Sequence, residues 1–229
     1  MEEVILDKIP LDVDMAALMK KLHVKEESKH AEELKKLVED ARQVARPKAF
    51  YRVAYIESRG DDHVIIEGTT FKSRVLCVNL AKAHRVFPFV VTCGEELEDW
   101  PGGQGDMLRR FWVDTLKEMA LRKAMAAFKK DLEARCRPGR TAAMSPGSLE
   151  DWPITQQGVL FALLGKPETS VGVRLSDSCL MIPVKSLSGI RFPTEEPFES
   201  CRLCPREKCP GRRAPYDRTL YERKYEKKA

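Results

Sequence analysis

SPGSLEDWPITQQGVLFALL (145–164) and, after six further residues, VGVRLSDSCLMIPVKSLSGIRF (171–192) form the stretch on which the reading of this chain turns. Pro146 and Gly147 mark a turn, and Asp151-Trp152-Pro153 closes the loop that contains it. From Ile154 the spacing is that of an amphipathic helix over 154–164, with Val159, Leu160, Leu163 and Leu164 inward and Gly165 ending it. Residues 171–175 alternate as a strand, 176–183 read as a compact loop, and 186–192 return as a second strand. A helix beside a strand, loop, strand unit is the expected product.

Upstream, residues 140–153 are expected to be a loop that offers free backbone groups and the cation of Arg140, or of Arg137 just before it. RCRPG (135–139) stops the longest helical pattern of the chain, 106–136, whose stripe runs through Leu108, Phe111, Trp112, Leu116, Met119, Ala120, Ala124, Ala127, Phe128 and Leu132. That helix should be the central one, packed on a sheet. Asp114 and Glu118 lie one turn apart on it; such a pair can carry acid–base work, but with no histidine nearby it reads as surface charge. VFPFVVT (86–92) is too apolar to be an exposed edge strand, and it ends at Cys93-Gly94, where backbone can approach a ligand or simply turn. Residues 73–83 read as a short helix, and 49–56 with 63–67 as a hairpin around Arg59-Gly60-Asp61-Asp62. Two helices come first: one capped by Asp12 or Asp14, and one opened by Ser28 and closed before Pro47.

Downstream lies FESCRLCPREKCPGRRAPY (198–216), with Cys201, Cys204 and Cys209 inside nine positions. A C-x2-C pair can turn two thiolates to one soft metal, and a third four residues on can close over it, as iron–sulfur clusters and zinc require. A fourth ligand would come from Cys136, Cys179, Cys93, Cys77 or a histidine. The expected occupant is an iron–sulfur cluster, with zinc, or free cysteines, as the alternatives.

The chain has 229 residues, 43% of them hydrophobic, which is enough for one large domain or two small ones. Its formal net charge of +5 is concentrated from Arg202 onward, through Arg206, Lys208, Arg212, Arg213, Arg218, Arg223, Lys224, Lys227 and Lys228. The remainder is close to neutral and carries no nucleic-acid footprint. No apolar run spans a bilayer, and no segment has the form of a signal peptide. Seven cysteines, an odd number, suit a reducing compartment, so a cytoplasmic location is expected.

The two quoted stretches resemble the reactivation domain of vitamin B12-dependent methionine synthase, and more closely its small stand-alone relatives; residues 140–192 carry the likeness. It implies an α+β fold: a single C-shaped domain with a twisted, mainly antiparallel sheet and flanking helices. Here that domain would span 1–197, followed by a cysteine-rich, basic tail at 198–229. The resemblance also implies S-adenosylmethionine as ligand, with Arg140, Ser145, Pro146, Gly147 and Ser148 as its binding residues. The family tyrosine after proline-glycine is Ser148 in this sequence, and Arg140 stands farther upstream of the turn than its family counterpart. Arg140 can meet the ligand carboxylate with two parallel hydrogen bonds. The implied partner is a corrinoid-binding protein or methionine synthase core carrying cobalamin, with a separate electron donor. The implied role is reductive methylation of oxidised cobalt, for which an iron–sulfur tail would bring the electron source closer. A non-catalytic scaffold module that keeps the fold and the partner is the other class; an independent methyltransferase has no glycine-rich nucleotide loop to support it.

Overall fold

The computed structural model describes residues 3–226; Lys227 and Lys228, counted above with the basic tail, lie outside them. The chain begins with β1 (Glu3–Leu6), α1 (Met15–Leu22), α2 (Lys29–Val44), β2 (Lys48–Arg52), β3 (Ala54–Arg59), β4 (His63–Ile66) and β5 (Thr69–Lys72). It continues through α3 (Arg74–Asn79), β6 (Arg85–Thr92), α4 (Glu95–Glu98) and α5 (Met107–Cys136) to β7 (Thr141–Met144). The last part holds α6 (Gln157–Leu164), α7 (Pro167–Val171), β8 (Arg174–Leu175), β9 (Met181–Ile182), β10 (Ser186–Pro193) and α8 (Leu220–Lys224).

The apolar run of β6 is the middle of the sheet, and every residue after Arg85 in it is buried. One edge of β6 carries β2 and β3, the other carries β10, and β10 in turn carries β7, all antiparallel. Lys48 to Tyr51 pair with Thr92 to Phe89, and Ala54 and Tyr55 take up the same register again at Val86 and Arg85. The interruption falls opposite Pro88, which has no N–H to give to a ladder, so one expected strand is divided in two. β1 lines the outer edge of β2, and β3, β4 and β5 form a meander.

Because strand side chains alternate, the sheet has two covered faces. On one, Ala49, Tyr51, Phe87, Phe89 and Val91 meet Ala124, Phe128 and Leu132 of α5. Phe89 stacks on Phe128 at 4.8 Å between ring centres. Every fourth residue of α5 from Trp112 to Leu132 is buried, whereas Leu108 and Phe111 of the expected stripe are exposed. α1 and α2 cover the first half of α5 through Leu18, Leu34, Leu37, Val38 and Ala41. Asp14 caps α1, its Oδ1 accepting from the Ala17 N–H at 3.1 Å.

On the other face Phe50, Val86, Val90, Ile190 and Phe192 meet α3, α6 and the fully buried Trp152, whose ring stands edge-on to Phe71 at 6.1 Å. A buried aromatic of this size contributes at most about 4–6 kcal/mol of transfer free energy. The cysteine-bearing segment belongs to the same cluster: Leu220 and Tyr225 are buried in it, and Phe198, Leu203 and Cys204 pack against it.

Two expectations for the second half are corrected. Residues 141–144 are a strand and not loop, because β10 offers them an open edge: Ile190 pairs with Met144, and Pro193 with Thr141. Residues 171–175 are not one strand: Pro167 starts α7, Gly172 ends it at φ 71°, and only Arg174 and Leu175 pair, with Ile182 and Met181.

Candidate functional site

The proline-glycine turn is closed on itself. Gly147, at φ 79°, donates its N–H to the Trp152 carbonyl at 2.7 Å, and the Ser148 N–H goes to the Ser145 carbonyl at 3.2 Å. The Ser148 hydroxyl donates to that same carbonyl, and Leu149 and Trp152 form a bridge. Pro146 is buried, while Gly147 and Ser148 are exposed. A Cβ on Gly147 would stand 2.9 Å from Cδ1 of Ile154. Close backbone approach here is to the chain's own helix start.

The loop is anchored by Asp151. Its Oδ1 accepts from the Arg74 N–H at 3.2 Å, and its Oδ2 from the Val75 N–H at 3.0 Å and from the Ser73 hydroxyl. Ser73 Oγ in turn accepts from the Leu76 N–H at 2.9 Å. The free N–H groups that open any helix are thus satisfied by one residue before α3 and one from the Asp-Trp-Pro step.

Arg140 lies at the other end of β7, about 13 Å of extended strand from the turn. The structure therefore does not bring it together with Ser145, Pro146, Gly147 and Ser148. It lines a cleft of about 680 Å³ instead, with Val78, Asn79, Lys82, Pro193, Glu195 and Lys224 among the walls. Arg140 donates to the Glu195 carbonyl at 2.9 Å. Lys82 meets Glu195 at 3.0 Å and Lys224 meets Glu196 at 2.7 Å. Those contacts push the Lys82 ammonium up and hold the Glu196 carboxyl below the usual carboxylate range. One wall is fixed by Tyr225, whose hydroxyl donates to Asn79 Oδ1 at 3.0 Å. The cleft thus offers an exposed guanidinium, two carboxylates and apolar surface from Val78, Pro138, Pro193 and Phe198. Asn79, Glu195, Glu196 and Lys224 carried no sequence motif; strand pairing and the return of α8 bring them together.

Arg137 takes the left-handed position that ends α5, at φ 43°. Asp114 pairs with Lys185 at 2.9 Å, and Glu118 with Lys21 at 3.2 Å and Arg122 at 2.5 Å.

The cysteine loop is organised by Arg212. Its guanidinium donates to the carbonyls of Cys201 at 3.0 Å, Ala214 at 3.2 Å, Cys204 at 3.2 Å and Arg206. The Arg213 N–H donates to Cys201 Sγ at 3.5 Å, and together with the neighbouring Ala214 N–H and the Arg213 charge it holds that thiol below its ordinary range against the effect of burial. Three thiols on one loop suit a soft metal by donor type. As folded, they do not form a ligand set: among the described residues no three His, Cys, Asp or Glu side chains are placed to hold an ion. Cys77 and Cys93 are buried elsewhere, bonded to the Gly60 and Gly94 carbonyls, and burial pushes both thiols up, Cys93 to about 12. No helix among the described residues is long and apolar enough to cross a membrane.

No protein-family model matches the sequence, and no curated protein matches it. Among solved structures, the crystal structure of the MetH reactivation domain bound to AdoHcy matches with a TM-score of 0.56, covering 87% of this chain and 81% of that one at 14% identity. The chain has the fold of the MetH reactivation domain. At 14% identity the likeness to that domain is one of fold. It is the antiparallel sheet with flanking helices that the quoted stretches led us to expect.

Proposed function

We propose that this chain is a reactivation protein for a corrinoid-dependent methyltransferase of the methionine synthase type, and that it binds S-adenosylmethionine. The observation that carries the reading is an exposed guanidinium in a half-apolar cleft at the sheet edge, on a fold matched to a domain that holds AdoHcy. S-adenosylmethionine, when bound, would supply the methyl group for the partner's cobalamin. The chain's own residues hold and orient the donor. Arg140 would hold the carboxylate with paired hydrogen bonds, and Glu195, Glu196, Phe198 and Pro138, which line the same cleft, would surround the rest of the donor. The stand-alone character of the protein, the domain division at residue 197 and the cytoplasmic location belong to the same proposal.

Calorimetry with S-adenosylmethionine tests it. The Arg140 guanidinium donates to a backbone carbonyl and the residue is exposed, so Arg140→Ala should fold normally and bind at least about tenfold more weakly. Wild-type protein that binds neither S-adenosylmethionine nor AdoHcy overturns the reading.

The closed turn favours a second reading, a scaffold that keeps the corrinoid partner without the methyl donor, since the N–H groups of Gly147 and Ser148 are already used. Such a protein would capture the corrinoid-binding subunit and show no calorimetric signal. For the cysteine loop, iron–sulfur ligation by Cys201, Cys204 and Cys209 is proposed on donor type and spacing alone, and no electron is routed through it. Iron and sulfide analysis of anaerobically purified protein decides it, and zinc or metal-free material overturns it.

A further inference from the structure

Between the Asp-Trp-Pro loop and the cysteine loop lies a groove that shares no lining residue with the Arg140 cleft. It consists of two adjoining hollows, of about 410 and about 610 Å³, that have Pro205, Tyr216 and Arg218 in common. Val75 at the start of α3, Leu149 and Leu203 give the first hollow its apolar surface, and two tyrosines line it with them. Tyr216 and Tyr221 are each 42% exposed, so both rings are open to a ligand. Much of the charge in the groove is already engaged. Asp151 accepts at the start of α3, Asp217 pairs with Arg202 at 3.3 Å and Arg223 at 2.7 Å, and Arg212 holds the loop carbonyls. Among the described residues, the side chains of Glu150, Glu207 and Arg218 have no hydrogen bond or ion pair, and neither tyrosine hydroxyl has a hydrogen-bond partner.

We propose that this groove binds an extended, proline-rich segment of a partner protein that carries a basic residue beside its prolines. Exposed aromatic rings in a groove with apolar surface are what such a segment docks on, because its rings are held out from a backbone that needs no hydrogen bonds of its own. The free polar groups agree. Proline has a carbonyl but no N–H, so the segment is rich in acceptors and poor in donors, and the groove offers donors in two tyrosine hydroxyls and the Arg218 guanidinium. A strand-adding peptide would need a sheet edge, and no strand contributes a lining residue. Glu150 and Glu207 set two free carboxylates against one free guanidinium, which favours a basic residue in the segment.

The test is fluorescence anisotropy with a labelled peptide of about eight prolines and an arginine at each end. Wild-type protein should bind it saturably, and Tyr216→Ala and Tyr221→Ala each at least about tenfold more weakly, as for aromatic anchors. Both side chains are exposed, so the variants should keep the fold, which far-ultraviolet circular dichroism checks; Tyr216→Phe keeps the ring and should bind more tightly than Tyr216→Ala. A peptide with glycine in place of every proline should bind at least about tenfold more weakly than the proline peptide. The double variant Glu150→Gln, Glu207→Gln should lose affinity for the arginine-ended peptide and keep it for one ended in serine. The proposal is overturned if wild-type protein does not bind the proline peptide saturably, or if the glycine peptide binds as well, which would make the groove a plain cation site. It is also overturned if both tyrosine-to-alanine variants bind like wild type, which would put the contact elsewhere, or if the double variant does not distinguish the two peptides.

Discussion

Replacing Asp151 by alanine removes the link between the Trp152 loop and α3. The side chain accepts from the Arg74 and Val75 N–H groups and from the Ser73 hydroxyl. Its loss leaves two helix-start donors without a partner in a partly buried place. A helix cap is worth about 0.5–2 kcal/mol, and a hydrogen bond to a charged group about 1.5–3 kcal/mol. Because these overlap on one carboxylate, the expected loss for Asp151→Ala is about 2–4 kcal/mol, short of the plain sum. Asp151→Asn keeps an acceptor and should lose about 1 kcal/mol. Urea unfolding followed by far-ultraviolet circular dichroism reads both, and the melting temperature of Asp151→Ala should fall by about 5–15 °C. A stability within about 0.5 kcal/mol of wild type would refute the anchoring role, since that is the scatter of ordinary surface substitutions.

Alkali should unfold the protein through two tyrosines. Burial and the bond to Asp131 push Tyr51 up, and burial pushes Tyr225 up to about 12, so the folded state keeps protons that the unfolded chain releases near pH 10. Stability is then full below about pH 10 and falls above it, by up to about 1.4 kcal/mol per pH unit for each group; absorbance at 295 nm should show two of the five tyrosines ionising only on unfolding. Iodoacetamide at pH 7.5 should label Cys201 before Cys77 and Cys93, as peptide mass spectrometry can follow; early labelling of Cys93 would contradict its burial. Gly147→Ala should lose about 1–3 kcal/mol, because φ 79° is strained for alanine and its Cβ meets Ile154. A purely ligand-facing glycine would instead change affinity and leave the urea midpoint alone.

What could be read from the chain is what local patterns control. The α5 pattern, the buried run of β6, the cap at Asp14 and the helix before Gly165 all follow from spacing and end chemistry over a few residues. β1 and β7 were missed because neither is amphipathic over a useful length: TAAM reads as coil, and only the free edge of β10 makes it a strand. The cleft was missed for the same reason at larger scale. Asn79, Glu195 and Lys224 are far apart in the chain, and no local signal brings α8 back against α3. Arg140 could be picked out as a cation beside a loop, but the strand that separates it from Pro146-Gly147 could not.

That separation bears on how a ligand can lie. On the proposed reading, with Arg140 at one end of β7 and the turn at the other, a donor whose carboxylate meets Arg140 would lie in the cleft lined by Pro193, Glu195 and Phe198. The turn's internal bonds, the Asp151 anchor and the buried Trp152 give a structural reason for a proline-glycine step there. The cleft wall, in contrast, is built from both sides of the cysteine loop: Phe198 precedes Cys201, and Lys224 follows Arg213. Arg212 holds the intervening carbonyls as one unit, and Tyr225 ties the far end to Asn79 in that wall. Any event that reshapes the loop, such as metal ligation by its cysteines, would therefore act on the residues that line the cleft. Arg212→Ala separates this coupling from direct contact, because Arg212 does not line the cleft, yet its loss should weaken S-adenosylmethionine binding on the proposed reading. Unchanged affinity in a folded Arg212→Ala protein would show that loop and cleft act independently.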